Sequence, residues 1–194
     1  MRVVSTSPRL AVIDDFATDV EIAHVLRVAS TPIELIRRGI YPVHSETGFS
    51  FEMPVRGDAV METLAERIYT TMGMDNDNGE TMRFRRYTVG ERHPLHKDVW
   101  QIGDAHLIAT ALLYLTDVDA GGETYFPCAQ PTPVLVEPRR GRLALWFNYT
   151  PEGQADEAAL HEARVVERGV KCTITNFIYK PLAYATAEFL AGAV

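Results

Sequence analysis

Cysteine is scarce: two in 194 residues are too few for a disulfide framework, and Cys128 and Cys172 are expected to be reduced, buried, small apolar side chains. An excess of basic residues is missing too. Nineteen Lys and Arg against 26 Asp and Glu leave a net charge of -7, which speaks against a nucleic-acid partner, because a phosphate backbone needs a basic patch. No apolar run approaches the length of a membrane span, so no membrane partner is expected. The first residues lack the basic start and apolar middle of a secretory leader, and the cytoplasm is the expected location. Internal repeats and low-complexity segments are absent. What is present is ordinary for a globular protein: 46% hydrophobic and 23% charged residues, in a length that suits one domain over 1–194 with one substantial core. Nothing in the composition sets an oligomeric state.

The first eighty residues differ in character from the next hundred. Leu10-Ala11-Val12-Ile13, ended by Asp14-Asp15, predicts a strand from Arg9 to Phe16. A helix follows, opened by the capping-box sequence Thr18-Asp19-Val20-Glu21, with Val20, Ala23, Val25 and Leu26 as its apolar stripe and His24 on its surface. Residues 38–54 are broken by Gly39, Pro42, Gly48 and Pro54 and read as short strands and a loop that could lie over a pocket, with His44 solvated. A second helix is expected from about Asp58 to Met72, with Val60, Leu64, Ile68 and Met72 on one face and Gly73 as its stop. Beyond Thr81 the pattern changes to seven or eight short strands between turns. They include His96 to Trp100, Ala109 to Leu115, Pro131 to Pro138, Arg142 to Phe147, Ala159 to Val166 and Val170 to Tyr179. The expectation is a mainly β chain with N-terminal helices (α+β). A sandwich or barrel core over 81–180 would be buttressed by 1–80 and followed by a tail at 181–194.

The chemistry concentrates in Arg92 to Trp100. Alternate side chains of an extended segment share a face, so His96 and Asp98 would emerge together, close enough to grip one metal ion. A His-x-Asp pair alone is a weak signal. A third candidate, His161 in a short alternating segment, and Lys171 in a later strand strengthen it. Two imidazoles and one carboxylate suit non-haem iron(II) and leave positions open for substrate and oxygen. His106, beside Asp104, reads as an exposed loop residue, and Glu123 as a structural residue of its turn.

These residues sit among motifs that are specific in combination. They are Tyr87-x-x-Gly90, His96-x-Asp98, Thr110 through Tyr114-Leu115, Gly121-Gly122-Glu123-Thr124-Tyr125-Phe126-Pro127, Pro138-x-x-Gly141, His161 and Gly169-Val170-Lys171. The chain resembles the iron(II) and 2-oxoglutarate dependent dioxygenases of the prolyl 4-hydroxylase type over nearly its whole length. The resemblance implies a double-stranded β-helix, or jelly roll, with His96, Asp98 and His161 as ligands of Fe(II). It implies that Lys171 pairs with the distal carboxylate of 2-oxoglutarate, assisted by hydroxyls at Tyr87, Thr124 and Tyr114. The implied reaction is oxidative decarboxylation of 2-oxoglutarate to succinate and carbon dioxide, using O2, coupled to hydroxylation of an unactivated C–H bond. Ascorbate would serve as reductant.

Departures from the family pattern fall where substrate is expected. His93 stands where a tyrosine is usual, Leu107 where an arginine is, and Cys172 where a tryptophan follows the lysine. They point away from a peptidyl-proline bound in the usual way and towards a small-molecule or amino-acid-like substrate, with His93, Trp100, Leu107, Trp146 and Phe177 as pocket candidates. A prolyl 4-hydroxylase acting on a protein or peptide is the competing enzyme. A jelly roll that senses metal or 2-oxoglutarate without turnover is the competitor from another class. Asp98 itself disfavours halogenation, because the related halogenases place Gly or Ala there.

Overall fold

The computed structural model describes residues 1–37, 47–76 and 81–186. Residues 38–46 of the expected strand-and-loop region 38–54, His44 among them, and the end of the tail at 187–194 lie outside the described residues. The chain opens with a hairpin, β1 (Arg2–Thr6) and β2 (Arg9–Ile13), followed by α1 (Asp19–Arg37), β3 (Phe49–Pro54) and α2 (Ala59–Thr71). Then come β4 (Thr81–Tyr87), β5 (His93–His96), β6 (Gln101–Ile102), β7 (Ala105–Tyr114), β8 (Ala120–Gly121) and β9 (Thr124–Phe126). β10 (Val134–Val136), β11 (Leu143–Phe147), β12 (His161–Ala163), β13 (Val166–Arg168) and β14 (Lys171–Lys180) complete the series, with single 3-10 turns at Glu157–Ala159 and Leu182–Thr186.

A large sheet runs in the order β1-β2-β11-β7-β14-β4-β3, with β6 beside β7, and a small one runs β10-β9-β12-β5. The pairings are antiparallel, and the architecture is the expected jelly roll, with N-terminal strands built into the same large sheet. The central strands of the large sheet are buried on both faces because both faces are covered. In β11, Leu143, Leu145 and Phe147 join the core shared with α1 and α2, whereas Ala144 and Trp146 join a second core towards the small sheet. β14 divides the same way with different chemistry. Cys172, Ile174 and Ile178 pack on the helix side, and Lys171, Thr173, Thr175, Phe177 and Tyr179 line a cavity on the other.

Both helix starts follow from their caps. Thr18 N donates to Glu21 Oε2 at 2.8 Å, and Glu21 N donates back to Thr18 Oγ1 at 3.3 Å. The stripe that this start buries is Ile22, Val25 and Ala29, at helical spacing. Val20 is 79% exposed and Ala23 is also exposed, so the expected stripe is corrected: both point away from the side that meets the sheet. Asp58 caps α2 by accepting from Val60 N and Met61 N, and Gly73 ends it with φ of 62°. His24 is half-buried and 2.7 Å from Asp58, which ties α1 to that cap.

Other boundaries also shift. The strand expected from His96 to Trp100 instead ends at His96, and the one expected at Ala159 to Val166 splits into a 3-10 turn, β12 and β13. His106 lies in β7, half-buried, with Nδ1 3.3 Å from the Tyr149 hydroxyl, rather than in an exposed loop. Cys128 is exposed, contrary to expectation, because it follows β9 in a turn; Cys172 is buried. Among the described residues no helix is long and apolar enough to cross a membrane.

Candidate active site

β12 pairs with β5 in a register that sets His161 directly across from His96, with ring centroids 4.3 Å apart. Asp98 lies just past the end of β5 and turns its carboxylate to both rings: Oδ1 is 3.5 Å from His96 Nε2 and Oδ2 is 3.8 Å from His161 Nε2. One ligand atom from each of the three residues lies within 4.8 Å of the others, so the trio could hold a metal ion. They meet by cross-strand pairing and a chain turn, not by alternation along one strand.

Hydrogen bonds behind the donors set their state. His96 Nδ1 lies 2.8 Å from Pro94 O, and His161 Nδ1 lies 2.9 Å from Ala159 O. A carbonyl oxygen only accepts, so each ring carries a hydrogen on Nδ1 and turns Nε2, the atom available to a metal, to the centre. Thr110 of β7 donates to Asp98 Oδ2 at 2.9 Å, and Asn148 Nδ2 donates to Thr110 Oγ1 at 3.1 Å and to Leu107 O at 3.2 Å. Phe126 stacks on the His161 ring at 5.3 Å, and Trp146 meets it edge-on at 4.9 Å. Burial drives His161 down to about 4, against the pull of Asp98, so it is neutral, as a ligand must be. For Asp98, burial raises the carboxyl, but the His96 contact, the field of His161 and the Thr110 bond outweigh it and hold it below its ordinary value.

Lys171 opens β14 and is 1% exposed, with its ammonium 5.3 and 5.5 Å from the ring centres of Tyr87 and Tyr114. Burial pushes it down to about 7; Glu123 pulls it upward and Arg85 lowers it further. Among the described residues no carboxylate or hydrogen-bond acceptor touches this ammonium. A buried cation in that position is costly until an anion arrives. Thr124 and Tyr87 line the same cavity, of about 410 Å³. Tyr114 stands behind them: its hydroxyl is 2.6 Å from Thr124 Oγ1, where donation by Tyr114 leaves the Thr124 hydrogen for a ligand, and 3.4 Å from Val136 O. The donor set and the unpaired ammonium thus fit a metal ion and a dianionic acid in one cavity.

The five candidates for the substrate pocket, His93, Trp100, Leu107, Trp146 and Phe177, all line this cavity. Trp100 is 63% exposed at the rim, whereas Leu107 and Trp146 are buried in the wall. Cys172 does not belong with them. Being next to Lys171 on a strand it points the opposite way, into the core shared with the helices, and burial raises its thiol to about 11. Sequence reasoning passed over Arg83 and Arg85, which reach the cavity from β4 together with Tyr87. The signal was the alternation Arg83-x-Arg85-x-Tyr87, opposite to Met82 and Phe84. Thr110 is a motif position in the sequence, and its bond to Asp98 has no sequence signal.

Comparison with known proteins agrees with this geometry. Residues 82–179 match the model of the 2OG-Fe(II) oxygenase superfamily. Probable prolyl 4-hydroxylase 4 of Arabidopsis thaliana is 28% identical over 207 residues, covering 91% of this chain and 69% of the relative. The viral collagen prolyl hydroxylase of Paramecium Bursaria Chlorella virus-1 superposes with a TM-score of 0.69 at 21% identity, covering 88% of this chain and 95% of that one. A Pseudomonas putida prolyl-4-hydroxylase gives 0.61 at 16% identity, with 91% and 94% covered. With a fold, a donor trio and a family match that coincide on one cavity, this chain belongs to the 2OG-Fe(II) oxygenase superfamily.

Proposed function

We propose that the chain hydroxylates an unactivated C–H bond, holding iron(II) on His96, Asp98 and His161 and the distal carboxylate of 2-oxoglutarate on Lys171, Thr124 and Tyr87. When bound, the iron and 2-oxoglutarate supply the oxidising chemistry, consuming oxygen and releasing succinate and carbon dioxide. The protein's own part is to position and to balance charge. The Nδ1 bonds to Pro94 and Ala159 fix both imidazoles with Nε2 facing the metal position, and Thr110 keeps the Asp98 carboxylate turned towards them. Lys171 meets an acid with a charge-assisted bond, and Tyr114 orients the Thr124 hydroxyl that helps it. Two charges on iron and one on Lys171 offset one on Asp98 and two on 2-oxoglutarate, so the assembled site is neutral in a dry setting. Asp98 as a donor supports hydroxylation over halogenation. Trp146 and Phe126 shield His161 from water.

The observation that carries this reading is the buried, unpaired Lys171 ammonium sharing a cavity with the three metal-competent donors. For the prime substrate, the modest cavity and the residues His93 and Leu107 support a small or amino-acid-like molecule. A second reading, a prolyl residue within a peptide, is favoured by the names of the relatives. It is also favoured by Trp100, a large apolar side chain that is 63% exposed at the cavity rim. The test is succinate formation from 2-oxoglutarate with iron(II), ascorbate and oxygen, screened for stimulation by metabolites and by proline-containing peptides. Succinate above background without any prime substrate is the expected minimum, and its absence removes the oxygenase reading.

A further inference from the structure

The inference rests on the reading just proposed and concerns the part of the cavity which that reading leaves unused. β4 sends Arg83, Arg85 and Tyr87 to the cavity while Met82 and Phe84 turn into the core. Pairing with β14 sets Arg85 beside Thr173 and Arg83 beside Thr175, next to the Tyr87 and Lys171 pair. Arg83 is already engaged: its Nε donates to Glu52 Oε1 at 2.7 Å and its guanidinium lies 5.3 Å over the Phe177 ring. Arg85 is different. Its Nη1 donates to His93 Nδ1 at 3.0 Å and to Thr47 O at 3.4 Å, and it lies 6.0 Å from the Tyr87 ring centre. No carboxylate among the described residues touches it.

A guanidinium offers five N–H donors in a planar fork, which matches a carboxylate in two parallel bonds. His93, Thr47 and the Tyr87 hydroxyl engage part of the Arg85 fork, and the remaining N–H groups are left for a ligand. With iron(II), Lys171, Asp98 and 2-oxoglutarate summing to zero and Arg83 balanced by Glu52, Arg85 is a surplus positive charge on the cavity wall. His93 fixes where the fork points, and the His93 ring meets the His96 ring edge-on at 4.4 Å. The anchor therefore stands beside the metal donors.

We propose that the prime substrate bears a carboxylate and that Arg85, oriented by His93, binds it. The carbon that is oxidised then lies only a few bonds from that acid group. A free acid and an acidic residue of a peptide share this chemistry. At about 410 Å³ the cavity is at the small end of ligand pockets and must also admit 2-oxoglutarate, which favours the free acid.

The test is equilibrium binding under argon, with iron(II) and 2-oxoglutarate present, read by the fluorescence of Trp100 and Trp146 in the cavity wall. L-Proline and L-leucine are titrated against L-prolinamide and L-leucinamide, and amidated Ala-Pro-Glu against amidated Ala-Pro-Gln. At least one acid is expected to bind about tenfold or more tighter than its amide, the size of a charged hydrogen-bond pair. Arg85→Gln should bring that ratio to about one, and Arg85→Lys should restore part of it. A preference confined to the glutamate peptide supports the proposal with a peptide as the source of the acid. Equal binding of acids and amides, no acid binding at all, or an unchanged ratio in Arg85→Gln overturns it. The wild-type ratio decides even if the variants do not fold. Succinate release by the wild type in oxygen without added substrate is measured in parallel: its absence defeats the oxygenase reading, while the acid-to-amide ratio still judges Arg85.

Discussion

Strands β7 and β14 of the large sheet run for ten residues each, whereas β5, β9, β10 and β12 of the small sheet run for three or four. Yet both histidine donors sit on the short strands. Strands of that length have little stability of their own, and their side chains are steadied from across the cavity. Thr110 of β7 holds Asp98, and Trp146 of β11 packs on His161. The large sheet therefore carries the stability and the small sheet carries the histidine donors, with a few side chains transferring rigidity from one to the other.

That division can be broken at its strongest point first. Asp98→Ala should abolish 2-oxoglutarate turnover and leave the dialysed protein without iron, while its urea midpoint changes little; an active variant would end the metal assignment. On the large sheet the opposite outcome is expected. Phe84→Ala empties a fully buried site on the helix side of β4 and should cost about 3–5 kcal/mol in urea unfolding, with turnover per folded molecule retained. Lys171→Met should raise the 2-oxoglutarate requirement by about ten- to a hundredfold, seen as KM in succinate assays, because a charged partner of the acid is gone.

The transfer between sheets is sharpened by smaller effects. Thr110→Val keeps the shape but removes the bond to Asp98, and should weaken iron affinity by about tenfold or more in a competition with a chelator. Far from the cavity, Arg67 bonds Glu21 and, with the Thr18 cap, holds its carboxyl down from 4.5 to about 2. A depressed carboxyl contributes stability that is complete above pH 4.5 and is lost as pH falls towards 2. Glu21→Gln should therefore flatten the acid limb of the stability curve in that window and leave turnover near neutrality untouched.

Much of the large sheet and both helices were legible because their signals are local: a capping box at Thr18, an N-cap at Asp58, a glycine stop at Gly73 and apolar runs in β7 and β11. His96 and Asp98 were legible as a pair for the same reason. His161 and Lys171 gained their roles from motif resemblance, since the register that sets His161 across from His96 is written in no single stretch. Arg83 and Arg85 went unread because an alternating Arg-x-Arg strand looks the same whether its polar face meets water or a cavity. Val20 and Ala23 were misplaced because hydrophobicity alone does not say which side of a helix meets the sheet. The support of Asp98 by Thr110 and Asn148 joins three separate segments and has no sequence signature.

The pairing of His161 with His96 across β12 and β5 has one more consequence. An ion on those two rings would act as a staple through the small sheet, joining strands that otherwise share only a few backbone bonds. Iron occupancy and local rigidity would then be a single variable, and amide hydrogens near Glu162 would exchange with solvent at a rate that reports how much metal the protein holds.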